Sequence, residues 1–518
     1  PTSVPTETPT SVPTAVPSSV PTAVPTSVPT ETPSSVPTCV PSAVPTADPT
    51  AVPTEVPTAV PTAVPTSVPT SVPTSSPTVV PTFVPSGEVS VVPTVSPTAV
   101  PTVVPTAVPT SIPSNAPSEV PSALPSFSPT KFLEWFQLGS DLDGDVAGDA
   151  FGQVVFLSKD GTRMAVGSPE NDESSENAGK VSIFEYESGT GAWNKLGGDI
   201  LGEGSGDKSG SALSLSSDGS RVAIGADKND DAGVNAGHVR VFEYVLGTNT
   251  WDQVGSDIDG EAAVDVSGRS VSLSDDGTRV AIGASLNDGN GTSAGHVRVY
   301  DFDGTVWTQV GGDIDGESAG DQSGFSVALS ADGDIVAIGA FLNAGPAGSK
   351  SGHVRVMKYS QGSDAWTQQG LDIDGEVAED RSGYRVSLSD DGSRVAISSH
   401  ANDNDRGHVR VFEFQTNSSL WAQLGAAISG EAAGDLSGWS LSLAGNGERV
   451  AIGAQANNAS GTGGGHVRVY EYVPESSSWD QQGEDIDGEA AGDLSGISVS
   501  LTRDGKRLAI GAPMNDGA

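Results

Sequence analysis

A tryptophan returns at intervals of 55–59 residues through the last three quarters of this 518-residue chain, at Trp135, Trp193, Trp251, Trp307, Trp366, Trp421 and Trp479. Self-similarity at that period constrains the fold more than any other feature. Each unit is one supersecondary motif that buries its apolar side only against its neighbours, so a single-core helical or α/β domain is excluded.

One unit, from Trp251, reads WDQVGSDIDGEAAVDVSGRSVSLSDDGTRVAIGASLNDGNGTSAGHVRVYDF. Val271 and Leu273 alternate with serine over Ser270–Ser274, the period of a half-buried strand. Asp276-Gly277 in the following turn is a hairpin signal, and Arg279–Ala284 is a second strand. After a loop of Asn, Asp and Gly, His296–Phe302 is a third strand and Trp307–Val310 a fourth. Four short antiparallel strands per unit, repeated without long helices, predict an all-β propeller. The small residues of Ala-Ile-Gly-Ala suit the crowded strands near its axis, and the recurrent Trp suits the wider space between outer strands.

The block resembling DG-x-RVAIGA occurs seven times, ending with Asp504–Ala512. The Gly-His-Val-Arg-Val block occurs in recognisable form six times, beginning at Gly179 (where it reads Gly-Lys-Val-Ser-Ile), Gly237, Gly295, Gly352, Gly407 and Gly465. The tally predicts a seven-bladed β-propeller over 131–518, its last blade one strand short and closed by Phe132–Leu138, in a chain expected to be a piece of a longer one.

Residues 1–130 obey a different rule. They hold 32 of the 36 Pro, one every fourth residue, with Val89 alone breaking the register. Proline at that density removes backbone donors and holds the residue before it extended, which predicts a disordered, polyproline-II-rich tract. Thr and Ser beside Pro read as a mucin-like, O-glycosylated stalk. Cys39, the single cysteine, has no partner for an internal disulfide.

Charge excludes further classes. The chain carries 66 acidic and 25 basic residues, a formal −41. After residue 130 the balance is 60 against 25, or −35. Such a field repels polyphosphates, so no nucleic-acid partner is expected. No apolar run reaches the length of a bilayer span.

Phe151-Gly152, then Val166-Gly167-Ser168-Pro169 and Gly511-Ala512-Pro513, resemble the FG-GAP repeat of the integrin α-subunit propeller. The array is also similar to FG-GAP-type arrays in surface or secreted proteins of bacteria and algae, some of which carry Pro/Thr-rich stalks. The resemblance implies a non-enzymatic, extracellular or cell-surface binding or adhesion protein, its propeller displayed on the stalk and contacting a protein or glycan ligand. The alternatives are a propeller hydrolase or lyase acting on polysaccharide, or a purely structural cell-wall protein. The family's calcium loop between the first two strands is replaced here by a tight Asp-Asp-Gly turn, so that site does not transfer.

Three sets of residues are candidates for function. An acidic motif, Asp-x-Asp-Gly-(Asp/Glu)-x-x-x-Asp, precedes the first strand and is complete in five units: Asp141/Asp143/Asp145/Asp149, Asp257/Asp259/Glu261/Asp265, Asp313/Asp315/Glu317/Asp321, Asp372/Asp374/Glu376/Asp380 and Asp485/Asp487/Glu489/Asp493. Hard oxygens on a Gly-containing loop suit Ca²⁺; the alternative is a set of turn-forming carboxylates. One column varies among otherwise similar repeats, with Gln153, Ser211, Arg269, Phe325, Tyr384, Trp439 and Ile497. Arg269, Phe325, Tyr384 and Trp439 form a candidate ligand patch in which aromatic faces stack sugar rings. Asn290, Asn417 and Asn458 begin N-glycosylation sequons. The repeated His238, His296, His353, His408 and His466 are expected, with the Arg two residues on, to make interblade hydrogen bonds. No Ser/His/Asp set or carboxylate pair breaks the repeat, which predicts no catalytic site.

Overall fold

The computed structural model describes residues 134–515, all within the unit Pro117–Ala518; the Pro/Thr tract and Cys39 lie outside the described residues. Six five-stranded antiparallel sheets follow one another along the chain, and a two-stranded sheet, Ser498–Leu501 with Leu508–Gly511, comes last. The fold is the expected all-β propeller. Its blade number is corrected from seven to six.

Blade three shows the common plan. Ser267–Leu273, Arg279–Ala284, His296–Phe302 and Trp307–Gln309 pair in order, Val271 opposite Ile282, Ile282 opposite Arg298, and Phe302 opposite Trp307. A fifth strand of two residues, Ile314–Asp315, pairs with the beginning of the third, placing Asp315 opposite His296. Its isoleucine enters the core between blades three and four with Val297, Val299, Val327, Leu329 and Ile338. The cores therefore lie between sheets: neither blade buries its apolar face alone.

First strands of successive repeats contact one another in a closed cycle, and the strand Ser498–Leu501 meets Val154–Leu157 of blade one. Glycine is required where blades approach at the axis. A Cβ on Gly283 would stand 2.0 Å from the carbonyl oxygen of Gly324. At the rim each indole N–H donates to a carbonyl of the preceding repeat at 2.7–3.0 Å, from Trp193 to Leu138 through Trp479 to Leu424. Trp135 donates to Gln482 O at 2.8 Å and completes the circle. Its segment is not a strand. Elsewhere a Trp strand pairs with the end of a third strand, as Tyr244 with Trp251. The last repeat has no third strand among the described residues, so Trp135 keeps its rim position without a ladder.

At one end of the axis the first hairpin turns converge. Lys159 N donates to Ser217 O, Ser217 N to Asp275 O, Asp275 N to Ala331 O, Ala331 N to Asp390 O and Asp390 N to Gly445 O, all at 2.8–3.0 Å. Lys159 and Arg503 both pair with Asp275 and with Asp390. Two cations and two carboxylates thus close this mouth with balanced charge. At the opposite mouth lie the starts of the first strands, the ends of the second strands and the acidic loops.

Candidate functional site

The acidic motif does not converge on one ion. Its fourth carboxylate is structural. Asp265 is buried and accepts from Asn287 Nδ2 at 2.9 Å and from Ala262 N at 3.1 Å. Asp321 and Asp380 repeat this with Asn343 and Asn402, and Asp149 and Asp493 accept from Asn171 and Ala490 N. The first carboxylate takes a glutamine amide: Gln253 to Asp257 at 2.5 Å, with Asp141, Asp313, Asp372 and Asp485 held alike at 2.6–2.7 Å. At the second position the backbone is used. Arg298 Nη2 donates to Asp259 O at 2.6 Å, and Arg410 Nη2 to Asp374 O at 2.8 Å. Burial holds the Asp259 and Asp374 carboxyls above the usual carboxylate range.

The third carboxylate crosses to the next blade. Glu261 Oε1 lies 3.5 Å from Arg298 Nη1 while its Oε2 faces His296 at 3.9 Å. Four groups result: Glu203, Asp231, His238 and Asp257; Glu261, His296 and Asp313; Glu317, His353 and Asp372; Glu431, His466 and Asp485. In each, the ligand-capable atoms lie within 4.8 Å of one another. Motif carboxylates thus come together from two successive motifs around a histidine, which no single loop of sequence displays. Arg makes the interblade hydrogen bonds expected of the His–Arg pair. The histidines do not. Each of the five has a buried ring nitrogen without a hydrogen-bond partner, and burial holds each imidazole below its ordinary pKa.

The expectation that the four carboxylates of one loop share one calcium ion is therefore corrected, most plainly in the first and last motifs. Asp143 is exposed, joins none of the four groups and makes no hydrogen bond or ion pair among the described residues. Its sequence neighbours are turned to other uses, Asp141 to Gln137 and Asp149 to Asn171. Glu489 is likewise exposed and outside the groups; its Oε2 accepts from Asn515 Nδ2 at 3.3 Å. The equivalent Glu261 reaches a histidine on the next third strand, and the described residues end before the last repeat reaches such a strand.

The variable column does converge. Phe325, Tyr384 and Trp439 stand one or two residues before the first strands of blades four, five and six, and their rings stand in series, Phe325 to Tyr384 5.1 Å and Tyr384 to Trp439 5.1 Å. Arg269 lies over Phe325 at 4.9 Å and approaches Asp227 at 3.5 Å. Two residues unnoticed in the sequence, Phe341 and Arg385, join them, as does His400, which the sequence sets alone in a loop. Phe341 packs on Phe325 with ring centres 4.4 Å apart. His400, 2% exposed, lies 4.0 Å from Tyr384 and 5.5 Å from Trp439. Arg385 lies over Tyr384 at 4.9 Å. The signal was available in two further columns. The position after Gly-Ala reads Pro169, Asp227, Ser285, Phe341, His400, Gln455 and Pro513, and that before the strand core reads Val154, Ala212, Ser270, Ser326, Arg385, Ser440 and Ser498.

Blade five is the departure. Arg385 replaces a serine that elsewhere bonds the neighbouring blade, as Ser270 Oγ to Gly324 O at 2.8 Å and Ser440 Oγ to Gly496 O at 2.7 Å. Ser398 takes the place of the axial glycine, and Arg385 N donates to its hydroxyl. Arg385 is half-buried, and burial together with the nearby Arg269 lowers its basicity. His400 Nδ1 and Arg381 Nε are buried without hydrogen-bond partners. Burial first, then Arg381 and Arg385, lower the His400 pKa to about 3, so it is neutral at pH 7. Neither Arg381 nor Arg385 is paired with a carboxylate among the described residues. The result is a cationic, aromatic centre on a face whose loops are acidic. Asn290, Asn417 and Asn458 lie exposed in loops.

No protein-family model and no curated protein matches the chain. Solved propellers do. A periplasmic gluconolactonase of Pseudomonas aeruginosa is 15% identical over 70% of this chain and 88% of its own, with a TM-score of 0.45. A putative 6-phosphogluconolactonase of Bacteroides uniformis is 14% identical over 69% and 88%, with a TM-score of 0.44. The propeller domain of Cps50 (Swd1) of Myceliophteria thermophila is 12% identical over 69% and 96%, with a TM-score of 0.42. These are likenesses of fold. Two of the three carry enzyme titles. The expectation of a non-enzymatic adhesion protein is corrected by blade five, whose cluster of Tyr384, Arg385 and His400 departs from the repeat on which the absence of a catalytic site was predicted. No helix among the described residues is long and apolar enough to cross a membrane.

Proposed function

We propose that the propeller acts on a carboxylate-bearing carbohydrate at its aromatic, cationic mouth, as a polysaccharide lyase. One observation carries this reading. In a domain with 60 acidic and 25 basic residues, Arg381 and Arg385 have no carboxylate partner among the described residues, although they flank one cluster of rings. A planar guanidinium binds a carboxylate bidentately, and ring faces take the apolar face of a sugar. A uronate satisfies both demands. Its carboxylate, neutralised by arginine, acidifies the neighbouring C5–H, and His400 Nδ1 is an unoccupied acceptor for that proton; the pair left on C5 forms the C4=C5 double bond as the glycosidic C4–O bond breaks, and the leaving oxygen takes a proton from water. Binding of the carboxylate also offsets the two cations that depress the basicity of His400. The resemblance to FG-GAP repeats and the Pro/Thr tract support placing this activity outside the cell.

The test offers the full chain acidic polysaccharides (polygalacturonate, alginate) and neutral ones (laminarin). The expected result is chain shortening with appearance of an unsaturated uronate on acidic polymers only, lost in His400→Gln. Absence of both binding and shortening on every acidic polymer overturns the reading.

A further inference from the structure

We infer that four of the six blades each bind a divalent transition-metal ion of the Zn²⁺ class between a buried histidine and carboxylates of two successive acidic motifs. The inference is independent of the proposed reaction at the axial mouth.

Blade six shows the geometry best. His466 is 1% exposed, and its Nδ1 is buried with no hydrogen-bond partner. That nitrogen faces Asp485 Oδ2 at 3.8 Å, Glu431 Oε2 at 3.9 Å and Asp487 Oδ1 at 4.0 Å. These separations are too long for hydrogen bonds. They suit ligands sharing one ion: two atoms each about 2.1 Å from a metal stand roughly 3.4 Å apart at a tetrahedral angle and about 4.2 Å apart when opposed.

The carboxylates are held for that purpose. Gln481 Nε2 donates to Asp485 Oδ1 at 2.7 Å, leaving Oδ2 toward His466. Arg468 Nη1 lies 3.8 Å from Glu431 Oε1, leaving Oε2 toward the same nitrogen. Outer contacts that fix one oxygen and aim the other are what a metal site needs around its ligands. A neutral imidazole among oxygens selects a borderline ion over Ca²⁺, which takes oxygen ligands.

The repeat contains its own controls. In blade one Lys180 stands at the histidine position, and its ammonium lies 3.4 Å from Asp145 and 3.4 Å from Glu173. A cationic side chain thus occupies the place assigned to the ion. In blade five His408 and Glu376 are present at 4.0 Å, but Ala427 stands where the other five blades carry the first aspartate.

The full chain, stripped with chelator and dialysed against Zn²⁺ alone, is analysed for bound metal by mass spectrometry. Four equivalents per chain are expected, matching the four groups, with excess Ca²⁺ displacing none. His466→Gln lowers the count to three. Ala427→Asp, which installs the aspartate its sister blades carry, raises it to five and keeps the test informative should the histidine variant misfold. No bound Zn²⁺, displacement by Ca²⁺, or a count unchanged by Ala427→Asp overturns the inference.

Discussion

The two mouths of the propeller axis are built from opposite charge arithmetic. At one, Lys159 and Arg503 meet Asp275 and Asp390, and backbone hydrogen bonds run from turn to turn. At the other, Arg381 and Arg385 stand beside Tyr384, Trp439 and His400 without carboxylates among the described residues. The first mouth satisfies its own charges and has nothing left to offer a ligand. The second leaves charges unsatisfied, at a cost in stability that binding can recover. The repeated backbone bonds and one variable column of turn residues, Lys159, Asp275, Asp390 and Arg503, built the first; departures concentrated in blade five built the second.

Acid should separate the mouths most. The unfolded chain protonates His400 near its ordinary pKa of 6.5, the folded protein only at about 3. Between those values the unfolded state binds the extra proton. The stability contribution is therefore complete above the unfolded value and is lost as pH falls through the window, by about 2 kcal/mol at roughly pH 5 and about 4 kcal/mol at roughly pH 3.5. Denaturant melts across that range should show His400→Gln losing that much less than the wild type. Equal pH slopes would break the contrast.

Asp390→Ala should come next. It leaves Lys159 and Arg503 sharing one carboxylate at the closed mouth, with a loss of about 2 kcal/mol for partly buried charges. Urea unfolding reads this directly. A change under about 0.5 kcal/mol would mean that the backbone bonds alone close this end.

Arg385→Ser restores the residue found at that column in blades three, four and six, and has the smallest expected effect in free energy. Stability should hold or rise, since a half-buried, unpaired cation leaves and an interblade hydroxyl returns. Affinity for an acidic oligosaccharide should fall about tenfold, or about 1.4 kcal/mol. Calorimetric titration measures it. Lost stability with undiminished affinity would assign Arg385 to packing.

Much of the fold was legible. Alternation in Ser270–Ser274, the Asp-Gly turn and the β-branched run from His296 place the first three strands of each blade. The fifth strand was not legible, because two residues such as Ile314–Asp315 show no alternation. The blade count failed because the seventh repeat forms only a two-stranded sheet among the described residues, and the Trp135 segment expected to close it is not a strand. Trp135 shares its rim hydrogen bond with the other six but lacks the partner that makes them strands. At the axial mouth Arg269, Phe325, Tyr384 and Trp439 were readable as one variable column. Phe341, Arg385 and His400 were not, since they occupy two other columns that only the closed wheel brings together. The acidic motif misled in the opposite sense: residues adjacent in sequence serve different blades, Asp257 facing His238 and Glu261 facing His296. At the two ends of the array the motif is complete in sequence yet Asp143 and Glu489 meet no histidine, because a motif gains one only from the blade that follows or precedes it.

The circle of indole donors has a mechanical consequence. Every module is riveted to its predecessor at the circumference, so six modules cannot loosen singly without parting two such rivets. Amide exchange in the rim strands should therefore proceed in neighbouring modules together rather than one module at a time.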